Sequence, residues 1–400
     1  MDRSRVSRRD ILATAAAGAA TAMAYGLAVS PAHAQQAARP ASEPTLRWGI
    51  IGTGTRGAFT HIPVLKEAPE SEIAALCDVS PERLSSAASK VPHPTATYAD
   101  YQKLLADPNI NAVVIAVPNL LHREILQAAI QSGKPILCEK PAGATPADAV
   151  AIKQMVDSAK QLIMFGMQYR NNPKSRKIAE IIAAGDIGKP RYIVQNCSRG
   201  DWNLSPNVWR YSDPKLGGKP MNWRFSHAAS GGTLNEFSCH YLDLLHWFAA
   251  SGLPERVSCD GGIAVYNDGR DTWDHASVTL KYPGGVTAVH TLSMFGPGRN
   301  DVVVMGDEGS IEQVGDLFRM TRSAKGSGKR IQDITMPPAP KSSDIATLGL
   351  YEDFVACLKT GKKPVANVDR AVAASRTCWV AELAAEGKAE VKWDDLIGKS

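Results

Sequence analysis

The side chains best suited to move a proton lie in one short stretch of the sequence. Glu236, His240 and Asp243 are spaced at four and three residues, which puts them on one face of an α-helix. An imidazole, with a reference pKa of about 6.5, accepts a hydroxyl proton near neutral pH. We therefore predict a catalytic group in which His240 is the general base and Asp243 or Glu236 orients it or stabilises its charged form. A helix with a buried structural histidine fits the same pattern. A metal site is disfavoured because no further ligand pair has suitable spacing.

A second candidate is the tripeptide Glu139-Lys140-Pro141, which directly follows the apolar run Ile136–Cys138. If that run is a parallel strand, the tripeptide lies at its carboxyl end, where open α/β sheets bind their ligands. A lysine there can donate to a substrate oxygen and stabilise negative charge as the proton leaves. We predict Lys140 as a catalytic residue, with Glu139 and Lys140 also contacting a cofactor. A surface turn is the alternative.

A glycine-rich turn of the kind that binds dinucleotides lies further upstream. The apolar run Arg47–Ile51 leads into Gly52-Thr53-Gly54-Thr55-Arg56-Gly57, and a second run, Ile73–Cys77, ends in Asp78. The glycines allow a tight turn, close approach to a pyrophosphate and close helix packing, and the helix start attracts the phosphates. Asp78 is placed to accept hydrogen bonds from the adenosine ribose, which favours NAD over NADP. Pro63 falls where the first helix should continue, so that helix should be kinked or start late.

Alternating strands and helices position these clusters between residues 46 and 168. Ala112–Val117 is a continuous apolar run, typical of a parallel strand buried on both faces. The pattern predicts an α/β fold with an N-terminal Rossmann doubly wound parallel sheet.

Residues 169–400 have a different pattern. Predicted strands at Val257–Val265, Ala276–Tyr282, Val286–Ser293 and Val302–Met305 are separated by short turns. That spacing predicts a C-terminal α+β domain with an open, mainly antiparallel sheet.

The first 34 residues have the layout of a twin-arginine (Tat) export signal. Ser7-Arg8-Arg9-Asp10 precedes an alanine-rich apolar stretch, and Ala32-His33-Ala34 provides a cleavage site. We expect residues 1–34 to be removed, residues 35–45 to form an extended arm, and the protein to reside in the periplasm. A retained membrane anchor is the alternative. Because Tat carries folded proteins and free nicotinamide cofactors are scarce outside the cytoplasm, we expect a tightly held cofactor.

Composition excludes several classes of protein. The net charge is only +5 and no basic stripe stands out, so no nucleic-acid partner is expected. Seven cysteines without a C-x-x-C pair support neither a disulfide framework nor a zinc site.

Taken together, the motifs resemble the Gfo/Idh/MocA oxidoreductase family over about residues 46 to 390. The resemblance is carried by Gly52–Gly57, Asp78, Pro118-Asn119 with His122, Glu139-Lys140-Pro141 and the Glu236/His240/Asp243 helix. It implies hydride transfer between NAD, or less readily NADP, and a sugar or polyol. It also implies a homodimer or homotetramer formed through the C-terminal sheet.

The resemblance implies further site residues. Pro118, Asn119 and His122 would contact the cofactor, and Tyr169 and Arg170 lie in a family segment near the substrate. Glu236 stands where the family usually has aspartate. Glucose–fructose oxidoreductase has tyrosine at the position of His240, so a glucose–fructose dismutation is not implied. Tryptophan side chains can also line the pocket and stack on a sugar, or belong to a core or interface; the candidates are Trp202, Trp209 and Trp223.

Two other functions fit the same sequence. One is a glycosidase that oxidises its sugar transiently, eliminates the leaving group, adds water and reduces the product again. The other is a non-catalytic sugar- or cofactor-binding protein, because a fold does not determine a function. The presence of both Lys140 and His240 favours an enzyme.

Overall fold

The structure is a computed structural model that describes residues 46–93, 95–200, 209–314, 317–323, 329–334, 344–387 and 390–392. The predicted export signal, the arm at 35–45 and Trp202 lie outside the described residues.

The N-terminal part is built on a parallel sheet of six strands within the described residues, in the order β3-β2-β1-β4-β5-β6. That is the order of a doubly wound dinucleotide-binding sheet, and it confirms the predicted fold class. The central strand β4 is buried along its whole length, since both faces of such a sheet are covered. The strands are β1 (Leu46–Ile51), β2 (Ser71–Cys77), β3 (Ala96–Tyr98), β4 (Ala112–Ile115), β5 (Ile136–Cys138) and β6 (Ile163–Phe165).

The helix after β1 is interrupted, as Pro63 led us to expect. A π-helical turn, Gly57–His61, precedes a single α-helical turn, α1 (Ile62–Leu65). Proline has no N–H for the regular bond to the carbonyl four residues earlier, and a π turn is one way to absorb that loss. The remaining helices of this part are α2 (Pro81–Ala88), α3 (Tyr101–Ala106), α4 (His122–Gln131) and α5 (Pro146–Ser158).

The second part contains a mixed, mostly antiparallel sheet of nine strands within the described residues. Its order is β16-β15-β14-β13-β7-β12-β11-β10-β17, and the one parallel pair within it joins β7 to β12. The strands are β7 (Pro190–Ser198), β10 (Arg256–Gly262), β11 (His275–Lys281), β12 (Thr287–Ser293), β13 (Arg299–Gly306), β14 (Gly309–Val314), β15 (Leu317–Ser323), β16 (Lys329–Ile334) and β17 (Val391–Lys392), with β8 (Arg210–Ser212) and β9 (Pro220–Asn222) forming a separate ribbon.

One predicted strand ends early. We expected Val257–Val265, but β10 stops at Gly262. The buried carboxylate of Asp274 accepts hydrogen bonds from the backbone N–H groups of Ala264, Val265 and Tyr266. Those donors are therefore withdrawn from the sheet, and the chain turns into a loop.

Five α-helices belong to the second part within the described residues, and two of them, Cys239–Ala249 and Val368–Gly387, pack on its sheet. Their bounds are α6 (Pro173–Ala183), α7 (His227–Ser230), α8 (Cys239–Ala249), α9 (Ile345–Thr360) and α10 (Val368–Gly387). Helix α8 packs on β7 and β12. On the sheet itself, Tyr192 and Met305 are 40% and 41% exposed.

The last two helices return to the Rossmann sheet. The rings of Tyr351 and Phe354 on α9 lie 5.2 and 5.0 Å from the ring of Trp48 in β1, and α10 packs against α5. The two parts therefore share apolar packing, although the predicted boundary near residue 168 stays a prediction. None of the described helices combines the length and apolar character needed to cross a bilayer.

Candidate active site

A cavity of about 390 Å³ runs along the carboxyl ends of the Rossmann strands. The glycine turn forms one wall, because Gly52, Gly54, Thr55 and Arg56 border it. A Cβ atom on Gly52 would lie 2.4 Å from the carbonyl oxygen of Ala116, so only glycine allows this close approach. Gly57 does not border the cavity, but a Cβ there would lie 2.0 Å from the Gly52 oxygen, so it permits close packing beneath the turn.

Asp78 borders the same cavity, and neighbouring donors already hold its carboxylate. Thr53 donates to Oδ2 from its backbone nitrogen at 2.9 Å and from its hydroxyl at 3.1 Å. Arg83 donates to Oδ1 from Nε at 3.1 Å and from Nη2 at 2.8 Å. Burial opposes ionisation, but the hydrogen bonds from Arg83, Ser80 and Thr53 lower the pKa of Asp78. Thr53 therefore holds the Asp78 carboxylate in position.

Glu139 is an anchor behind Lys140. It accepts hydrogen bonds from Arg56 Nε at 2.7 Å and from His61 Nε2 at 3.1 Å, and His61 Nδ1 lies 2.8 Å from the Tyr351 hydroxyl. Burial opposes the charge, yet Arg56 and His61 hold the pKa of Glu139 far below its usual range. This network ties the glycine turn and helix α9 to the loop that carries Lys140.

Lys140 and Glu236 meet at the other end of the cavity. Lys140 Nζ donates to the Glu236 backbone oxygen at 2.5 Å and to Oε2 at 3.2 Å. Arg224 Nε donates to Oε1 at 2.9 Å, and Asn119 Nδ2 donates to Oε2 at 3.0 Å. Burial opposes ionisation, but the charges of Lys140 and Arg224 lower the pKa of Glu236. The glutamate is therefore an ionised bridge between two cations.

His240 follows Glu236 by four residues, does not border the cavity and is 4% exposed. Its Nδ1 atom is buried and has no hydrogen-bond partner in the described part of the chain. The ring stacks on Tyr169, with centroids 4.6 Å apart and planes at 26°. Burial first, and then the charge of Lys140, lowers the pKa of His240 to about 3. The imidazole is therefore neutral across the physiological pH range.

A π-helical turn changes the expected arrangement of the helix face. Residues Leu234–Ser238 form this turn ahead of α8, and its wider winding breaks the regular four-residue register. Glu236 consequently faces Lys140, whereas Asp243 pairs with Arg170 at 2.7 and 2.8 Å. Within the described residues His240 Nδ1 makes no hydrogen bond to either acid, so neither acid orients the ring through that atom.

Two continuous stretches of the sequence match known protein-family models. Residues 46–167 match an oxidoreductase family with an NAD-binding Rossmann fold, and residues 175–312 match the Gfo/Idh/MocA C-terminal domain. This protein belongs to the Gfo/Idh/MocA family of oxidoreductases.

Several dehydrogenases are similar to this Gfo/Idh/MocA protein. Trans-1,2-dihydrobenzene-1,2-diol dehydrogenase of Sus scrofa is 27% identical, over 80% of this chain and 90% of its own length. D-xylose 1-dehydrogenase (NADP(+)) 2 of Haloferax volcanii is 27% identical, over 87% of this chain and 100% of its own length. A solved levoglucosan dehydrogenase in complex with NADH and levoglucosan has a TM-score of 0.73 at 21% identity, covering 87% of this chain and 99% of that chain.

Besides Gly57, six of the predicted site residues do not border this cavity: Thr53, His122, Tyr169, Arg170, His240 and Asp243. Arg170 and Asp243 form a buried ion pair, 3% and 2% exposed, so the guanidinium of Arg170 is engaged by Asp243, and its role in substrate binding stays a prediction. His122 is fully buried, and its ring nitrogens lie 2.9 and 3.0 Å from the backbone oxygens of Pro141 and Val117. These contacts hold the loop that carries Lys140, and the predicted contact of His122 with the cofactor stays a prediction.

Both described tryptophans of the candidate set border the cavity near Lys140. Trp209 and Trp223 are joined by a backbone hydrogen bond. The guanidinium of Arg224 lies 4.4 Å from the Trp223 ring centroid. Pro118 and Asn119 also border the cavity, so this end combines aromatic surface with a lysine, an amide and an ion pair.

The residues of the cavity fit a nicotinamide dinucleotide. Gly52 and Gly54 border the cavity at the turn where the fold places a pyrophosphate, and Asp78 borders it at the ribose position that the fold assigns. The described residues contain no group of His, Cys, Asp or Glu arranged for a metal ion.

Sequence reasoning missed three residues of this site. Arg83 could have been found from the sequence, since it falls in the first turn of the helix that follows Asp78. No sequence pattern indicated Arg224 or His61, because their partners Glu236 and Glu139 are not neighbours in the sequence.

Proposed function

We propose that this protein transfers hydride between a tightly held nicotinamide dinucleotide and a secondary or anomeric carbon of a sugar or polyol. The observation that carries the proposal is that one cavity borders both the glycine turn and Lys140. The names of the related sugar and diol dehydrogenases agree with this substrate class.

The chain's own residues divide the work of holding the cofactor. Gly52, Gly54 and Thr55 would receive the pyrophosphate, Asp78 the ribose, and Pro118 and Asn119 the nicotinamide end. When bound, the cofactor would supply the hydride acceptor or donor.

The proton is handled by two side chains. The neutral imidazole of His240 would take the hydroxyl proton of the substrate while the carbon-bound hydrogen leaves as hydride. Lys140 would donate to the substrate oxygen and stabilise its developing charge. Because Lys140 Nζ contacts Glu236 at 3.2 Å, substrate binding must share or displace that contact.

A direct experiment separates this proposal from its competitors. The purified protein is denatured to release any bound nucleotide, which is identified by mass. Intact protein is then screened against aldoses, polyols and glycosides, following nicotinamide absorbance and products. Oxidised or reduced sugar supports the proposal. Hydrolysis without net cofactor change would identify a glycosidase, and binding without turnover would identify a non-catalytic protein.

We propose assembly as a homodimer or homotetramer through the large sheet. Tyr192, Val194, Val303 and Met305 lie at least partly exposed on β7 and β13, and an apolar patch of this kind suits self-association. Light scattering of the wild type and of Tyr192→Glu tests this: the variant should be smaller, and an unchanged mass would reject this face as the contact.

We propose export by the Tat route to the periplasm. The supporting structural fact is that six of the seven cysteines are buried free thiols, which suits a protein that folds before export and does not depend on disulfides. Cell fractionation of the wild type and of a variant with Arg8 and Arg9 both changed to lysine, with N-terminal sequencing, tests it. Retention of wild-type protein in the cytoplasm would overturn the proposal.

A further inference from the structure

The ribose end of the cavity differs from a simple NAD-selective site. An acidic residue after the second strand discriminates against NADP because its unpaired negative charge repels a 2′-phosphate. In this chain, the Asp78 carboxylate accepts five hydrogen bonds, from Thr53, Ser80 and Arg83. A carboxylate has about four lone-pair sites, so Asp78 is saturated before any ribose arrives.

Arg83 supplies the opposite charge at the same place. Its side chain is 18% exposed, borders the cavity and bonds Asp78 through Nε and Nη2. A guanidinium carries five N–H donors in a planar fork. Donors therefore remain for a second anion while the pair with Asp78 stays intact.

We propose that Arg83 makes this site accept both NAD and NADP, with its guanidinium as the receptor for the 2′-phosphate. This inference rests on the proposed function, since it concerns the same cofactor site. Charge explains why NADP is accepted. The Asp78–Arg83 pair is neutral as a unit, so the 2′-phosphate meets the guanidinium and not an unpaired carboxylate. NAD is still accepted because a ribose hydroxyl can donate to Asp78 in exchange for one of the hydrogen bonds that this carboxylate already accepts.

Direct binding tests the proposal without relying on turnover. Protein freed of nucleotide is titrated with NADH and NADPH, and energy transfer from tryptophan to the reduced nicotinamide reports occupancy, because Trp209 and Trp223 border the cavity. We expect the two dissociation constants of the wild type to agree within about tenfold, which corresponds to a difference under about 1.4 kcal/mol.

Substitution of the arginine gives the sharper result. Arg83→Gln should lower the affinity for NADPH by about 10- to 100-fold, which is the effect of losing one charged hydrogen bond. The affinity for NADH should stay near that of the wild type. Arg83→Lys should restore part of the NADPH affinity. Arg123→Gln is the matched control, because Arg123 is a 51% exposed helical arginine that also faces an aspartate, and it should change neither constant.

The outcomes are distinct. Wild-type discrimination above about tenfold against NADPH, or an equal loss of affinity for both nucleotides in Arg83→Gln, would overturn the role of Arg83 and leave the proposed function standing. Failure of the wild type to bind either nucleotide would instead reject the proposed function.

Discussion

The Tyr169 ring stacks on the imidazole of His240, with 4.6 Å between the centroids. Catalytic histidines are usually oriented by an acid that accepts a hydrogen bond from the second ring nitrogen. Here the nearby acids are engaged elsewhere, Glu236 with Lys140 and Asp243 with Arg170. The geometry therefore assigns the orientation of the base to an aromatic face.

Tyr169 should position His240 through its ring and not through its hydroxyl. Tyr169→Phe keeps the stacking surface and should turn over substrate at close to the wild-type rate. Tyr169→Leu should lower kcat by about tenfold with little change in KM, because a misplaced base costs rate more than ground-state binding. Steady-state kinetics of the pair measures this. Equal loss in both variants would assign the effect to the hydroxyl.

His240 should be the proton acceptor. His240→Ala is expected to lower kcat by about 10²- to 10⁴-fold, the usual contribution of general-base catalysis, while NADH still binds. The exposed His93→Ala is the control and should retain full turnover. Normal turnover of His240→Ala on the true substrate would remove His240 from this role.

The pH dependence should lack an ordinary histidine limb. Because the folded-state pKa of His240 is lowered to about 3, its neutral form persists as the pH falls and is lost only in strong acid. Between about pH 5 and pH 8 the value of kcat/KM should not fall on the acid side through ionisation of this base. An acid limb centred near the ordinary histidine value, and abolished in a His240 variant, would show that burial does not depress this pKa.

Glu236 should matter through its charge. Glu236→Gln leaves Lys140 and Arg224 facing each other without the anion that bridges them, so we expect kcat/KM to fall by about 10- to 100-fold, equivalent to about 1.4–2.7 kcal/mol. Glu390→Gln, in the exposed pair with Arg256, should have no effect on kinetics. A Glu236→Gln enzyme with wild-type kcat/KM would argue that the ion bridge is dispensable.

The Arg170–Asp243 pair should contribute to stability and not to substrate recognition. Arg170→Met leaves a buried carboxylate without its partner and should lower the free energy of unfolding by about 3–5 kcal/mol. Arg256→Met, which breaks an exposed pair, should change it by about 0–1 kcal/mol. Urea unfolding measures both. A stable Arg170→Met protein with a raised KM would return Arg170 to the substrate site.

Local sequence determined the cofactor half of this protein. Gly52, Gly54 and Gly57 act within one turn, and Asp78 ends a neighbouring strand, so their roles depend on backbone geometry that short segments encode. The break at Pro63 was likewise predictable, because the missing N–H is a property of the residue itself. The family resemblance rested on the same motifs and predicted the same fold class.

Tertiary structure alone decided how the charged side chains pair. The spacing of Glu236, His240 and Asp243 assumed a regular α-helix, and the π turn at Leu234–Ser238 separated their directions. Arg224 reaches Glu236, and His61 reaches Glu139, only because distant segments fold together. A buried carboxylate must find partners wherever packing brings a cation. Sequence periodicity does not specify which cation that is, so these pairings and the isolation of His240 emerge only in the folded chain.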